Sequence, residues 1–118
     1  MKLTGKGKLL RILIGESDKI NHQALFEAIV IAARKQGLAG STVLRGIEGF
    51  GANSRYIHSA KILRLSEDLP IVIEIVDTEK NIQGFLPVVD KLLEAAGGGA
   101  MVTMEKVDVI RYSAGKSK

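Results

Sequence analysis

Two glycine-rich runs stand where a small chain would hold a ligand. Gly49, Phe50 and Gly51 stand at the end of the stretch that begins at Ser41, and Gly97, Gly98 and Gly99 precede Met101–Tyr112. Glycine permits positive φ and close backbone approach, and successive backbone N–H groups facing one way form a concavity that takes an anion. Arg45 and Arg55 flank the first run, and Arg111 ends the last stretch. Either run alone is equally explained by a turn or a helix cap. Neither is a P-loop, because no Gly-Lys-Ser/Thr follows.

Nucleophilic and metal chemistry have less behind them. His22 and His58 are far apart in the chain, and no spacing ties either to a serine nucleophile; Ser54 and Ser59 flank a loop, where serines are common. A hydrolase using Glu48 or Glu74 ranks lower still, since a strand glutamate is ordinarily solvated or paired. There is no cysteine, so disulfides and thiolate sites are excluded. Two histidines would need carboxylates or a second subunit to hold a metal. The expectation is a binding module with no catalytic residue and no metal site.

The 118 residues predict one domain, 1–118, with tails at 1–8 and 113–118. The net charge of +4 comes from those tails: without Lys2, Lys6, Lys8, Lys116 and Lys118 the body is slightly acidic. Nucleic-acid binding needs a clustered basic face and, for single strands, aromatic platforms. This chain has no tryptophan and few aromatics, so no nucleic-acid partner is expected. No apolar run approaches the ~20 residues of a membrane span, and the N-terminus lacks a signal-peptide core. A cytoplasmic protein without membrane insertion is expected.

These residues must be positioned by elements. Leu9–Glu16 reads as a buried strand. Ser17 or Asp18 can cap a helix over Asn21–Gln36 that ends at Gly37. Ser41–Phe50 reads as a second strand. Lys61–Asp77 reads as a third, with Ile71, Ile73 and Ile75 on one face and a turn at Asp68 and Pro70. Ile82, Phe85, Leu86, Val89, Leu92, Leu93 and Ala96 form the stripe of a helix over Glu79–Ala96, in which Pro87 predicts a kink or early break. Met101–Tyr112 is the last strand, with a bulge near Glu105–Lys106. The order βαββαβ predicts an α+β, ferredoxin-like sandwich: an antiparallel sheet with two helices on one face. Apolar residues on both faces of a sheet with only two helices point to oligomerisation.

"GFGANSRYIH" after strand two, then "LPIVIEIV", then glycines leading into "VTMEKVDVIRY", resembles the PII-like signalling proteins, nearest their domain-of-unknown-function branch. The resemblance covers Leu9 to Tyr112. It implies a homotrimer that binds an adenine nucleotide (ATP, ADP or AMP) or another small anion between subunits. The implied ligand residues are Gly49, Phe50, Gly51, Gly97, Gly98, Gly99 and Arg111. It further implies a loop after strand two that docks on a membrane transporter or an enzyme, with Arg55, Tyr56 and His58 near its tip. The pattern departs from the family at Ala52, Asn53 and Ala100, where basic or amide residues are usual. Weak ATP affinity or a different ligand follows from that. The alternative is a trimeric, ferredoxin-like structural protein of the divalent-cation-tolerance type without nucleotide binding, which scarce histidines and missing cysteines disfavour.

Overall fold

The computed structural model describes residues 3–51 and 68–116. The central strand is β1 (Gly5–Gly15). A short hairpin, β2 (Lys19–Ile20) and β3 (Gln23–Ala24), leads into α1 (Leu25–Lys35). Then come β4 (Thr42–Arg45), β5 (Pro70–Asp77), α2 (Glu79–Ala96) and β6 (Met101–Val109). The sheet order is β4-β5-β1-β6 with every neighbouring pair antiparallel. β1 and β4 therefore run the same way with β5 inserted between them, the split βαβ arrangement expected of a ferredoxin-like fold.

Period-two alternation sorts the two faces. Leu10, Ile12 and Ile14 of β1 and Ile71, Ile73 and Ile75 of β5 are buried against the helices. They meet Leu25, Ile29 and Ala33 of α1 and Ile82, Phe85 and Val89 of α2. Fully burying one such large side chain contributes roughly 1.5–3 kcal/mol. Phe85 is the bulkiest fully buried residue of this core. Asp77 is also fully buried. Its carboxylate accepts from the backbone N–H of Ala39 (2.9 Å) and of Thr78 (2.6 Å) and from Asn81 Nδ2 (2.9 Å), which offsets its desolvation. The Tyr112 hydroxyl donates to the Ala39 carbonyl at 2.7 Å, tying the segment after β6 to the same corner.

The other face has no helix. Leu9, Leu13, Val72 and Val76 are half-buried there, and Leu44 and Met101 are exposed. Arg11 sits among them and bonds Glu74 (2.9 Å) and Glu105 (2.5 Å). Those bonds, led by the one to Glu74, hold the Arg11 guanidinium above its ordinary pKa.

Several expectations are corrected. Residues 5–8, expected in the N-terminal tail, open β1, and Leu3 before them is buried. The first helix begins at Leu25 rather than Asn21, because Asn21 and His22 adopt left-handed φ of 48° and 70° and turn the β2–β3 hairpin. Neither Ser17 nor Asp18 caps that helix; its N-cap is Ala24. The second strand stops at Arg45 instead of reaching Phe50. Pro87 does not end α2. Pro87 and Gln83, whose carbonyl loses its helix partner to the proline, are both exposed. There is no bulge at Glu105–Lys106: the register from Gly5↔Val109 to Leu13↔Met101 is continuous. The apparent shift of pattern arises because β6 is an edge strand, where Val102 and Met104 are 38% exposed on the helix side. The third strand is seen from Pro70, and the part placed at 61–67 lies outside the described residues.

Candidate functional site

One end of the sheet gathers four chain segments. They are the C-terminal end of β1, the stretch after β4, the entry to β5 and the turn from α2 into β6. Between them lies a cavity of about 190 Å³. Gly49, Phe50 and Gly51 line it from one side, and Gly99, Ala100 and Met101 from the other. Leu13, Ile14 and Gly15 form its floor, with Pro70, Asp18 and Asp68 at its walls. The two glycine runs, separate in sequence, thus converge.

Each glycine of the second run has its own task. Gly97 is the left-handed cap of α2, with φ of 77° and its N–H bonded to the Leu93 carbonyl at 3.0 Å. Gly98 packs against Asp18, whose carboxylate oxygens would stand 2.7 and 2.8 Å from any Cβ. Gly99 reaches the cavity itself. On the opposite side Gly46 lies against Pro70: a Cβ would come within 2.7 Å of the ring, while the Gly46 N–H bonds the Pro70 carbonyl at 2.7 Å. That contact fixes where the chain turns toward Gly49–Gly51.

The sequence offers Asp18 as a helix cap and Asp68 as a turn residue, and the structure places both on the cavity wall instead. The Asp18 carboxylate accepts the Gly15 N–H and the Asp68 carboxylate accepts the Ser17 N–H, each at 3.2 Å. Burial pushes the Asp18 carboxyl above its ordinary pKa, the Asp68 charge adds to that, and the Gly15 N–H opposes it. Beside them Glu16 pairs with Arg45 at 2.7 Å. No local pattern announces these carboxylates; only the β2–β3 hairpin, which holds the chain after β1 close to the turn before β6, brings Asp18 to Gly98.

Arg111 is not at this cavity within one chain. β6 starts at the cavity with Met101 and its far end, Val109, lies about 27 Å away at ~3.4 Å per residue. Arg111 is exposed beyond that end. Arg55, Tyr56 and His58 lie outside the described residues. His22 is exposed in the hairpin turn, away from the first turn of α1 where it was expected. Among the described residues no group of three or more His, Asp or Glu could hold a metal ion. Among them no helix is long and apolar enough to cross a membrane. A second hollow, about 440 Å³, lies at the opposite end beside Lys6, Lys8, Lys106 and Glu79. It has none of the glycine-run residues, so the smaller cavity is the better candidate.

Comparison with known proteins agrees with this fold. A UPF0166 protein of Methanocaldococcus jannaschii is 36% identical over 106 residues, covering 90% of this chain and 94% of its own. A UPF0166 protein of Aquifex aeolicus is 34% identical over 105 residues, covering 89% and 94%. Among solved structures, CPII from Thiomonas intermedia, a nitrogen regulatory PII-like protein bound to ADP, AMP and bicarbonate, superposes with a TM-score of 0.65. The identity is 21%, covering 93% of this chain and 92% of that one. A protein of Thermus thermophilus described as PII-like signaling superposes with a TM-score of 0.59 at 22% identity, covering 93% and 94%. The fold is PII-like, and residues 7–109 match the family described as "Uncharacterized ACR": the chain belongs to DUF190.

Proposed function

We propose that this chain is a PII-like regulatory binding module, not an enzyme, which holds an adenine nucleotide or similar small anion between the subunits of a homotrimer. The observation that carries the reading is the convergence of Gly49–Gly51 and Gly99–Met101 on one cavity. Its likeness to CPII, a protein whose structure holds ADP and AMP, supports the ligand class. The helix-free sheet face supports the assembly: closed symmetry would cover Leu44, Leu13, Val72 and Met101 with surface of neighbouring copies. In such a ring, Arg111 of one copy serves the cavity of the next, which accounts for its distance from its own. The segment holding Arg55, Tyr56 and His58 would then read the ligand state out to a transporter or an enzyme.

Light scattering coupled to size exclusion should give about three times the 12.7 kDa chain mass. Calorimetric titration with ATP, ADP, AMP and a cyclic nucleotide should show binding. Arg111→Ala should weaken it about tenfold to a hundredfold, the size of one lost charge-assisted hydrogen bond. A monomer at micromolar concentration, or no heat with any of these nucleotides at millimolar concentration, sinks the reading.

A further inference from the structure

We propose that Tyr112 is a positioning residue for the ligand: its bond to the Ala39 carbonyl holds Arg111 ready for the cavity of the neighbouring copy. The inference rests on the nucleotide-binding trimer read above and adds what orders its cross-subunit arginine in advance. The segment after β6 is fixed on both sides of Arg111. Before it, Val109 pairs with Gly5 at the end of the ladder. The Val109 side chain lies on Gly7, where a Cβ would stand 3.3 Å from it and 3.1 Å from the Asp77 carbonyl oxygen. After it, the Tyr112 hydroxyl donates to the Ala39 carbonyl at 2.7 Å. Arg111 itself is exposed, and among the described residues no carboxylate pairs with it.

The acceptor is held from within the core. The Leu38 N–H bonds the Ala33 carbonyl at 3.1 Å as the chain leaves α1. The Ala39 N–H bonds the carboxylate of Asp77, a fully buried residue, at 2.9 Å. That carboxylate is fastened in turn to the start of α2 by the Thr78 N–H and Asn81 Nδ2. Tyr112 therefore meets a fixed oxygen rather than a loose turn. Apolar burial does not hold the segment, since Ile110 is 86% exposed. A free terminal segment has to be ordered when its charge meets a ligand, and that ordering subtracts from affinity. A tether made beforehand removes part of the cost. The bond is neutral and at the surface, so the gain is limited to the net worth of one such bond.

A double-mutant cycle read by calorimetry with ADP tests this on the full chain. Tyr112→Phe keeps the ring and removes only the hydroxyl. It should weaken ADP about threefold to tenfold, the range of one neutral hydrogen bond. In an Arg111→Ala background the same change should alter affinity by less than about twofold, because there is no guanidinium left to position. Trypsin cleavage after Arg111 supplies a readout without ligand: it should run about threefold to tenfold faster in Tyr112→Phe, as the detached segment becomes more populated. Equal cleavage rates overturn the tether. Unchanged ADP affinity in Tyr112→Phe, while Arg111→Ala weakens it, overturns the positioning role and leaves nucleotide binding standing. An equal loss in both backgrounds also overturns it, since Tyr112 would then act by a route other than Arg111. ADP binding that Arg111→Ala leaves unchanged overturns it together with the cross-subunit role of Arg111. No binding by any nucleotide overturns both this inference and the reading beneath it.

Discussion

Gly46→Ala tests whether the turn out of β4 is set by contact with Pro70. An added Cβ would stand 2.7 Å from the proline Cγ, well inside van der Waals distance. The ring cannot rotate away, as a flexible side chain would. Nor can the two backbones separate freely, because the Gly46 N–H bonds the Pro70 carbonyl at 2.7 Å. Overpacking of this kind costs about 1–3 kcal/mol. Alanine gives back about 0.4–1 kcal/mol by restricting the unfolded chain. The net loss is roughly 0.5–2 kcal/mol, a fall in Tm of about 3–10 °C for a domain of this size. Gly40→Ala is the control: a Cβ there meets nothing within 4 Å, and the backbone lies outside the left-handed region. It should leave Tm unchanged or raise it. Thermal melts of both variants should be run at one protomer concentration, since assembly makes Tm concentration-dependent. Adding Pro70→Ala to Gly46→Ala should remove most of the penalty relative to Pro70→Ala alone. Should Gly46→Ala melt with Gly40→Ala, or its penalty survive the loss of the ring, the reasoning is wrong.

The raised pKa of Asp18 fixes the sign of a pH effect. A carboxyl with its folded pKa above its unfolded one contributes stability that is full below the unfolded pKa and is lost as pH rises through the folded one. Asp18→Asn should therefore melt above wild type at pH 7, with the gap closing as pH falls below the ordinary carboxylate range; a gap that widens on acidification refutes this. In the β2–β3 turn, His22 holds φ of 70°, which costs a non-glycine residue about 1–2 kcal/mol. His22→Gly creates the Asn-Gly pair that two-residue hairpins prefer. Its Tm should hold or rise by a few degrees, and a clear fall would show that the histidine side chain contributes to the fold.

The sheet core was legible because its signal is local. Ile71, Ile73 and Ile75 alternate, and the stripe from Ile82 to Ala96 repeats at helical spacing, so burial on one face follows directly. Gly37 and Gly97 announced two helix ends by type, and both take positive φ. The β2–β3 hairpin was not legible: Asn21 and His22 fit a helix start as well as a turn, and two-residue strands carry no periodicity. The supposed bulge in β6 came from reading an edge strand as though both its faces were covered. At the site, the glycine runs were visible by composition, and the structure brings Gly49–Gly51 and Gly99 together. Asp18 and Asp68 were visible only as helix and turn residues, because their shared cavity depends on contacts between segments far apart in the chain.

The central place of β1 has a consequence for how the chain reaches this fold on the ribosome. Leu10, Ile12 and Ile14 are made early, yet their strand partners are β5 and β6. At about 5–20 residues per second, β1 waits roughly 3–12 s for β5 to be made and longer for β6. Pairings of such long sequence separation are the slow kind, since loop closure must precede any gain from contact. The first strand is thus exposed longest while its neighbours arrive last. A truncated chain that stops before β6 would leave one whole edge of β1 without its partner and open to pairing with other chains.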